Sequence, residues 1–259
     1  MEALTRPIVL LTDFGTRDQY VGQVKAVIAG IAPASPLIDL FHDVEPYAID
    51  EGAWVLHTSL PLLPANAVVL AVVDPGVGSV RRPLVVSAGG RHFVGPDNGL
   101  LSAALQLPGE VRELSTPAWR RPLVSHTFHA RDIFGPAAAH LAIGEDVRRA
   151  GPPVSDALGL PLFEATPRAM GELHGYVIHV DRYGSLITTV RSHQLFPRFT
   201  IEVGGRVVDE RVHTFADAAA GRLFCHADSS GFIAIAMNQA SAAAELGVRR
   251  GDAVVVRSK

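Results

Sequence analysis

Two aspartates stand at the ends of apolar runs in the first half of the chain. Asp13 follows Ile8 to Thr12, and Asp74 follows Val68 to Val73. Pro75, Gly76 and Gly78 force a turn after Asp74, and Arg81 and Arg82 come directly behind it. In open α/β sheets, ligands sit at the carboxyl ends of the strands. A carboxylate and a guanidinium on a tight turn there suit the handling of a polar reactant, and two aspartates at two strand ends predict one crevice. His129, in Thr127-Phe128-His129-Ala130-Arg131-Asp132, adds a group that titrates near neutral pH and can serve as a general base.

Each of these residues has a structural alternative. Asp13 could cap the following helix or bind a ribose diol, and Asp18 stands where a helix cap belongs. Asp97 or Asn98, after Phe93-Val94-Gly95-Pro96, would cap a helix from Gly99. Asp181 in Asp181-Arg182-Tyr183-Gly184-Ser185 could only shape a turn, whereas Tyr183 beside it could stack a flat ring. Gly76-Val77-Gly78 lacks the Gly-Lys-Ser/Thr of a phosphate loop and the glycine spacing of a dinucleotide fold. His126 and His129 are weakly spaced for a metal, with no second cluster to join them.

The elements that must position these residues follow from periodicity. Strands are expected at 8–12, 37–40, 68–73, 84–87 and 92–94, the last two as a hairpin around Gly89-Gly90. Helices are expected at 19–31, 49–60, 99–107 and 131–143. This alternation predicts an α/β domain over residues 1–160 with a mostly parallel sheet covered on both faces. Prolines 152, 153, 161 and 167 mark 151–167 as a linker. Beyond it, strands at 175–180, 186–190, 199–203, 206–208, 232–236 and 253–257, with one helix at 241–247, predict a smaller β-barrel domain over 161–259.

Composition narrows the function. The 259 residues carry a net charge of −3, with 48% hydrophobic and 19% charged residues. A nucleic-acid surface needs a basic stripe, which this balance does not provide. The lone Cys225 excludes an internal disulfide and fits a reducing cytosol. No run approaches the ~20 apolar residues of a membrane span, and the polar start leading straight into a strand predicts no leader. The expectation is a cytoplasmic protein acting on a small molecule.

Six ordered segments, taken together, resemble one family, the S-adenosylmethionine hydroxide adenosyltransferases, relatives of the fluorinating and chlorinating enzymes. They are Leu-Leu-Thr-Asp-Phe-Gly with Tyr-Val-Gly-Gln-Val-Lys (10–25), Val-Glu-Pro-Tyr (44–47) and Val-Asp-Pro-Gly-Val-Gly with Arg81-Arg82. Val-Gly-Pro-Asp-Asn-Gly-Leu-Leu, Thr-Phe-His-Ala-Arg-Asp-Ile-Phe and Asp-Arg-Tyr-Gly-Ser-Leu-Ile-Thr complete the set.

The resemblance implies hydrolysis of S-adenosylmethionine to adenosine and methionine, without cofactor or metal, in a homotrimer. Each site would lie between one subunit's first domain and its neighbour's second. Asp74, Arg81 and His129 match the family's hydrolytic triad. Asp13 would hold the ribose hydroxyls, with Asp18 near it, and Tyr47 would lie against the sugar or sulfonium. Asp181 would meet the methionine amino group, with Ser229 and Ser230 near its carboxylate. Backbone groups around Met237, Asn238 and Gln239 would address adenine, with Phe215 as a ring neighbour. Ser185 and Thr189 stand where the family usually has Asn, and a hydroxyl cannot offer a base the amide's paired donor and acceptor.

A neutral thioether is already an excellent leaving group, so the demanding partner is water, with a pKa near 15.7. His129 is the expected base, Arg81 would favour negative charge on oxygen, and Asp74 would orient Arg81 or His129; the sequence leaves open which of them accepts the proton. Competing readings are a halide in place of water, a binding module without turnover, and metal-dependent hydrolysis through Asp13, Asp74 and His129.

Overall fold

The computed structural model describes residues 5–161 and 163–259, which form two compact units divided between Leu160 and Pro161. In the first unit the elements are β1 (Ile8–Thr12), α1 (Tyr20–Ile31), β2 (Leu37–Phe41), α2 (Ile49–Ser59) and β3 (Val68–Val72). After them come β4 (Pro83–Ala88), β5 (Arg91–Pro96), α3 (Ser102–Leu105), β6 (Gly109–Glu113) and α4 (Gly135–Ala142).

These strands form one sheet in the order β2-β1-β3-β5-β4-β6. Every residue of β1 and β3 is buried, because helices cover both faces. On one face Ile8, Leu10, Val68, Leu70 and Val94 pack against Val24 and Ile28 of α1 and Ala137, Ala138 and Leu141 of α4. The run of alanines in α4 lets its backbone approach the sheet closely. On the other face α2 packs against β1 and α3.

The sheet is mostly parallel, as expected, but not purely so. β2, β1, β3 and β5 are parallel, but β4 pairs antiparallel with both β5 and β6. The cause is the tight turn at Gly89-Gly90, whose φ values of 58° and 81° suit a two-residue hairpin. β6 has no counterpart among the expected strands. Its Glu110, Arg112 and Glu113 hide the apolar signal, as charge commonly does on an edge strand.

Two other expectations are revised. The helix at 131–143 opens with a π turn over Ala130–Phe134 before α4 begins. The first part of the expected linker is bound to the first unit: the amides of Val154, Leu158 and Leu160 donate to Val111 O, Asp97 Oδ1 and Ser102 Oγ. Proline bars regular structure there without preventing attachment.

The second unit holds β7 (Thr166–Ala169), β8 (Glu172–Val180), β9 (Leu186–Arg191), β10 (Phe199–Val203) and β11 (Arg206–Val208). It continues with β12 (Leu223–Ala227), β13 (Phe232–Met237), α5 (Ala242–Leu246) and β14 (Ala253–Ser258). The order is β11-β10-β14-β8-β9-β13-β12, with β7 beside β8 and every pairing antiparallel. A bridge between Arg211 and Cys225 brings the two ends of this path together, so the sheet curls into a nearly closed barrel. Val177, Leu186, Val190, Ile201, Ile235, Val254 and Val256 fill it. β7 and β12 escape the sequence reading; β7 is wholly exposed and carries Pro167, which sheets tolerate at their margins. No helix among the described residues is long and apolar enough to cross a membrane.

Candidate active site

β1 and β3 end side by side, with Thr12 opposite Val72, so Asp13 and Asp74 emerge at one edge of the sheet. They line a cavity of about 630 Å³ together with Tyr47 and His129. The turn after β3 doubles back through amides donated from Val77 to Asp74 O and from Ser79 to Gly76 O. Gly78 is needed there: its φ is +78°, and a Cβ would sit 2.5 Å from the carbonyl oxygen of His126. The turn returns Arg81 to Asp74, seven residues upstream.

Arg81 forks onto the carboxylate, Nε donating to Asp74 Oδ1 at 2.9 Å and Nη2 to Oδ2. The same Nη2 contacts Nδ1 of His129 at 2.8 Å. A guanidinium can only donate, so Nδ1 accepts and the ring proton resides on Nε2. Burial lowers the pKa of His129 below 6.5, and the Arg81 charge lowers it further, which keeps the ring neutral. The Arg81 and Asp74 side chains are 10% and 6% exposed, so the pair is largely withdrawn from water. Arg81 Nη1 has no hydrogen-bond partner among the described residues.

Burial raises the pKa of Asp13, nearby Asp74 adds to the effect, and the Tyr47 amide, 3.1 Å from Oδ2, opposes it. Tyr47 holds this contact from a φ of +70°, a left-handed conformation unusual outside glycine. Its side chain is exposed.

His129 stands at the start of the π turn, a distortion that helices often carry at functional sites. Asp132, fully buried, anchors that turn. Burial opposes its ionisation, yet two N–H groups of Arg131, the Ser125 amide and Arg121 together hold its pKa down to about 2. Sequence reasoning missed Asp132 and Arg131, which also lines the cavity with its guanidinium 4.9 Å from the Phe128 ring centre. It also missed the aromatic wall of Phe14, Tyr20 and Phe128, in edge-to-face contact at 5.4–6.2 Å. Arg131, Asp132 and Phe128 all lie in the motif that supplied His129.

Asp18 does not join the cavity lining. It is exposed, Gln19 takes the cap position of α1, and no side chain caps that helix. Asp97 and Asn98 do not cap α3 either, since that helix begins only at Ser102.

In the second unit a cavity of about 520 Å³ gathers Tyr183, Phe215, Met237 and Gln239 with Ala240 and Ser241. Gln239, like Tyr47, is left-handed, with φ +57°. Asp181 shapes its turn by accepting from the amides of Tyr183 and Ser185 through Oδ1, leaving Oδ2 for other partners. Asn238 Nδ2 donates to Ala218 O and so braces the loop that carries Phe215. Ser185 is buried outside the cavity lining, and Thr189 Oγ1 accepts from the Tyr176 amide within the sheet. Ser229 and Ser230 occupy the β12–β13 turn, at the far end of β13 from Met237, and do not line this cavity. Among the described residues no cluster of three or more His, Cys, Asp or Glu could hold a metal ion.

Comparison with known proteins places this geometry. Residues 8–151 match the SAM hydroxide adenosyltransferase N-terminal domain, and residues 175–255 match its C-terminal domain. A (R)-S-adenosyl-L-methionine hydrolase of Salinispora tropica is 43% identical over 250 residues, covering 95% of each chain. One from Thermus thermophilus is 41% identical over 257 residues, covering 95% of this chain and 97% of the relative. The crystal structure of an uncharacterised conserved protein from Thermotoga maritima superposes with a TM-score of 0.88 at 33% identity, covering 96% of this chain and 99% of that one. With both family domains matched in order across most of its length, the chain belongs to the SAM hydroxide adenosyltransferase family.

Proposed function

We propose that the protein hydrolyses S-adenosyl-L-methionine to adenosine and L-methionine by attack of one water on C5′. The observation that carries this reading is the hydrogen-bonded series Asp74–Arg81–His129, two of whose members line one cavity with Asp13. Relatives named as hydrolases of this substrate, over 40% identical along nearly the whole chain, support it.

The C5′–oxygen bond forms as the C5′–sulfur bond breaks, and sulfur keeps the electron pair as a neutral thioether. Arg81 holds the attacking oxygen in line through Nη1, which has no described partner. His129 keeps Arg81 from swinging, because its acceptor nitrogen is engaged there. The proton leaves late, to Asp74: each carboxylate oxygen retains a lone pair beyond the one Arg81 uses, and Asp74 lines the cavity. Asp13 receives the ribose hydroxyls, oriented by the Tyr47 amide. The aromatic wall of Phe14, Tyr20 and Phe128 suits the cationic sulfonium. A halide would meet the carboxylates of Asp13 and Asp74, which disfavours it against neutral water.

The second-unit cavity, with Tyr183, Phe215, Met237 and Gln239, suits a flat base. In this reading it serves the neighbouring copy of a homotrimer, each site taking one first unit and one second unit from different chains. The exposed apolar side chains of Tyr47, Val80 and Leu123 in one unit and Tyr183 and Phe215 in the other support such covering. The test is chromatography of the products formed from S-adenosylmethionine without added metal or halide, with halide in a parallel reaction. Adenosine and methionine in equal amounts are expected in both. A 5′-halo-nucleoside in preference to adenosine, or binding without turnover, would overturn the reading.

A further inference from the structure

The turn that carries Asp74 and Arg81 is fastened at both ends by two adjacent residues outside it. Asn98 Nδ2 donates to the carbonyl of Val73, immediately before Asp74, at 2.9 Å. Asp97 Oδ2 accepts from Nε and Nη2 of Arg82, immediately after Arg81, at 2.8 and 2.5 Å. The Asp97 amide also donates to the Arg82 carbonyl at 2.9 Å. We propose that Asp97 and Asn98 are positioning residues for the reaction, clamping the 74–82 turn so that Arg81 stays against Asp74 and His129.

The chemistry of both residues fits that task better than helix capping or packing. Asp97 is 6% exposed and receives donors on both oxygens, the second from the Leu158 amide at 2.8 Å. A buried carboxylate so paired is rigid, because moving either partner leaves a charge without compensation. Arg82 is tied outward as well, Nη1 donating to Asp156 Oδ1 at 2.7 Å. Asn98 uses both ends of its amide, Oδ1 accepting from the Leu100 amide at 3.1 Å. An aspartate there would keep that acceptor but set a negative oxygen against the Val73 carbonyl. Between the two anchors, Arg81 reaches both Asp74 and His129, so slack in the turn becomes displacement of the guanidinium. A displacement of about 1 Å can cost ~10²-fold in rate without loss of binding.

This inference rests on the reading of Asp74, Arg81 and His129 given above. The experiment compares Asn98→Asp and Arg82→Lys with the parent in steady-state hydrolysis of S-adenosylmethionine, beside Arg81→Lys as a control on that reading. Arg82→Lys keeps the charge, loses the fork on Asp97, and lies on the surface side, so it decides the matter if Asn98→Asp fails to fold. The expected result is a kcat lower by ~10–100-fold per folded enzyme, with KM within about threefold. A residue serving stability alone would lower the melting temperature and leave kcat and KM per folded enzyme at the parent's values. That result, with Arg81→Lys inactive, would overturn the clamp and leave the hydrolytic reading standing. Full activity in Arg81→Lys would instead overturn the hydrolytic reading, and the clamp with it.

Discussion

Arg81 Nη2 lies 2.8 Å from Nδ1 of His129, and only one arrangement of protons permits that contact. The imidazole must be neutral, with its hydrogen on Nε2; a second proton would set two cations against each other. The histidine is therefore a fixed acceptor that holds the guanidinium.

The pH dependence of turnover follows. Burial and Arg81 both push the His129 pKa below 6.5, so the contact survives through neutral pH and is lost only as the ring protonates below that value. The expected kcat profile is level above pH 6.5 and falls on the acid side. An acid limb at or above 6.5 contradicts this assignment.

Asp74→Ala leaves Arg81 largely buried without its counter-charge. Breaking a buried pair in this way costs about 3–5 kcal/mol of stability, measurable by denaturant unfolding. Asp74→Asn keeps the shape and loses the charge. Its turnover is expected to fall at least ~10²-fold with the fold retained by circular dichroism; parent-like turnover would remove Asp74 from the mechanism.

Gly78→Ala places a Cβ where only 2.5 Å separates it from the His126 carbonyl, at a φ of +78°. The strain is of order 1–3 kcal/mol, and relieving it moves the turn that holds Arg81. Both melting temperature and kcat should drop. Unchanged values in both would show that the turn has slack.

His92 predicts a separate pH effect on stability. Burial first, then the Arg6 charge, lowers its pKa to about 4. Unfolded, it takes up a proton near 6.5, so between pH 6.5 and about 4 the unfolded state binds more protons and stability is lost as the pH is lowered. Above 6.5 the residue contributes no such slope. His92→Gln should lose less stability than the parent between pH 7 and 5 in denaturant titrations; equal losses would contradict the assignment.

Much of this site was legible from short segments. Asp13, Asp74, Arg81 and His129 were marked by apolar runs ending in Asp, a Pro-Gly turn and a polar motif before a helix, all local signals. What escaped depends on partners distant in sequence. Asp97 looks like a helix cap until Arg82, from the turn before β4, is seen to occupy it. Asp132 looks like an exposed helix-start acid until Arg121 and Ser125 close around it. β6 and β7 were missed because charge or proline masks edge strands, whereas the reversal of β4 was legible in the Gly89-Gly90 turn. Asp18 failed for the opposite reason: its position before α1 suggests a cap, but the backbone places Gln19 there instead.

The central claim, that water attacks C5′, is tested most directly by running the reaction in heavy-oxygen water and weighing both products. The account predicts one heavy oxygen in adenosine and none in methionine. Unlabelled adenosine, or label in methionine, would contradict it.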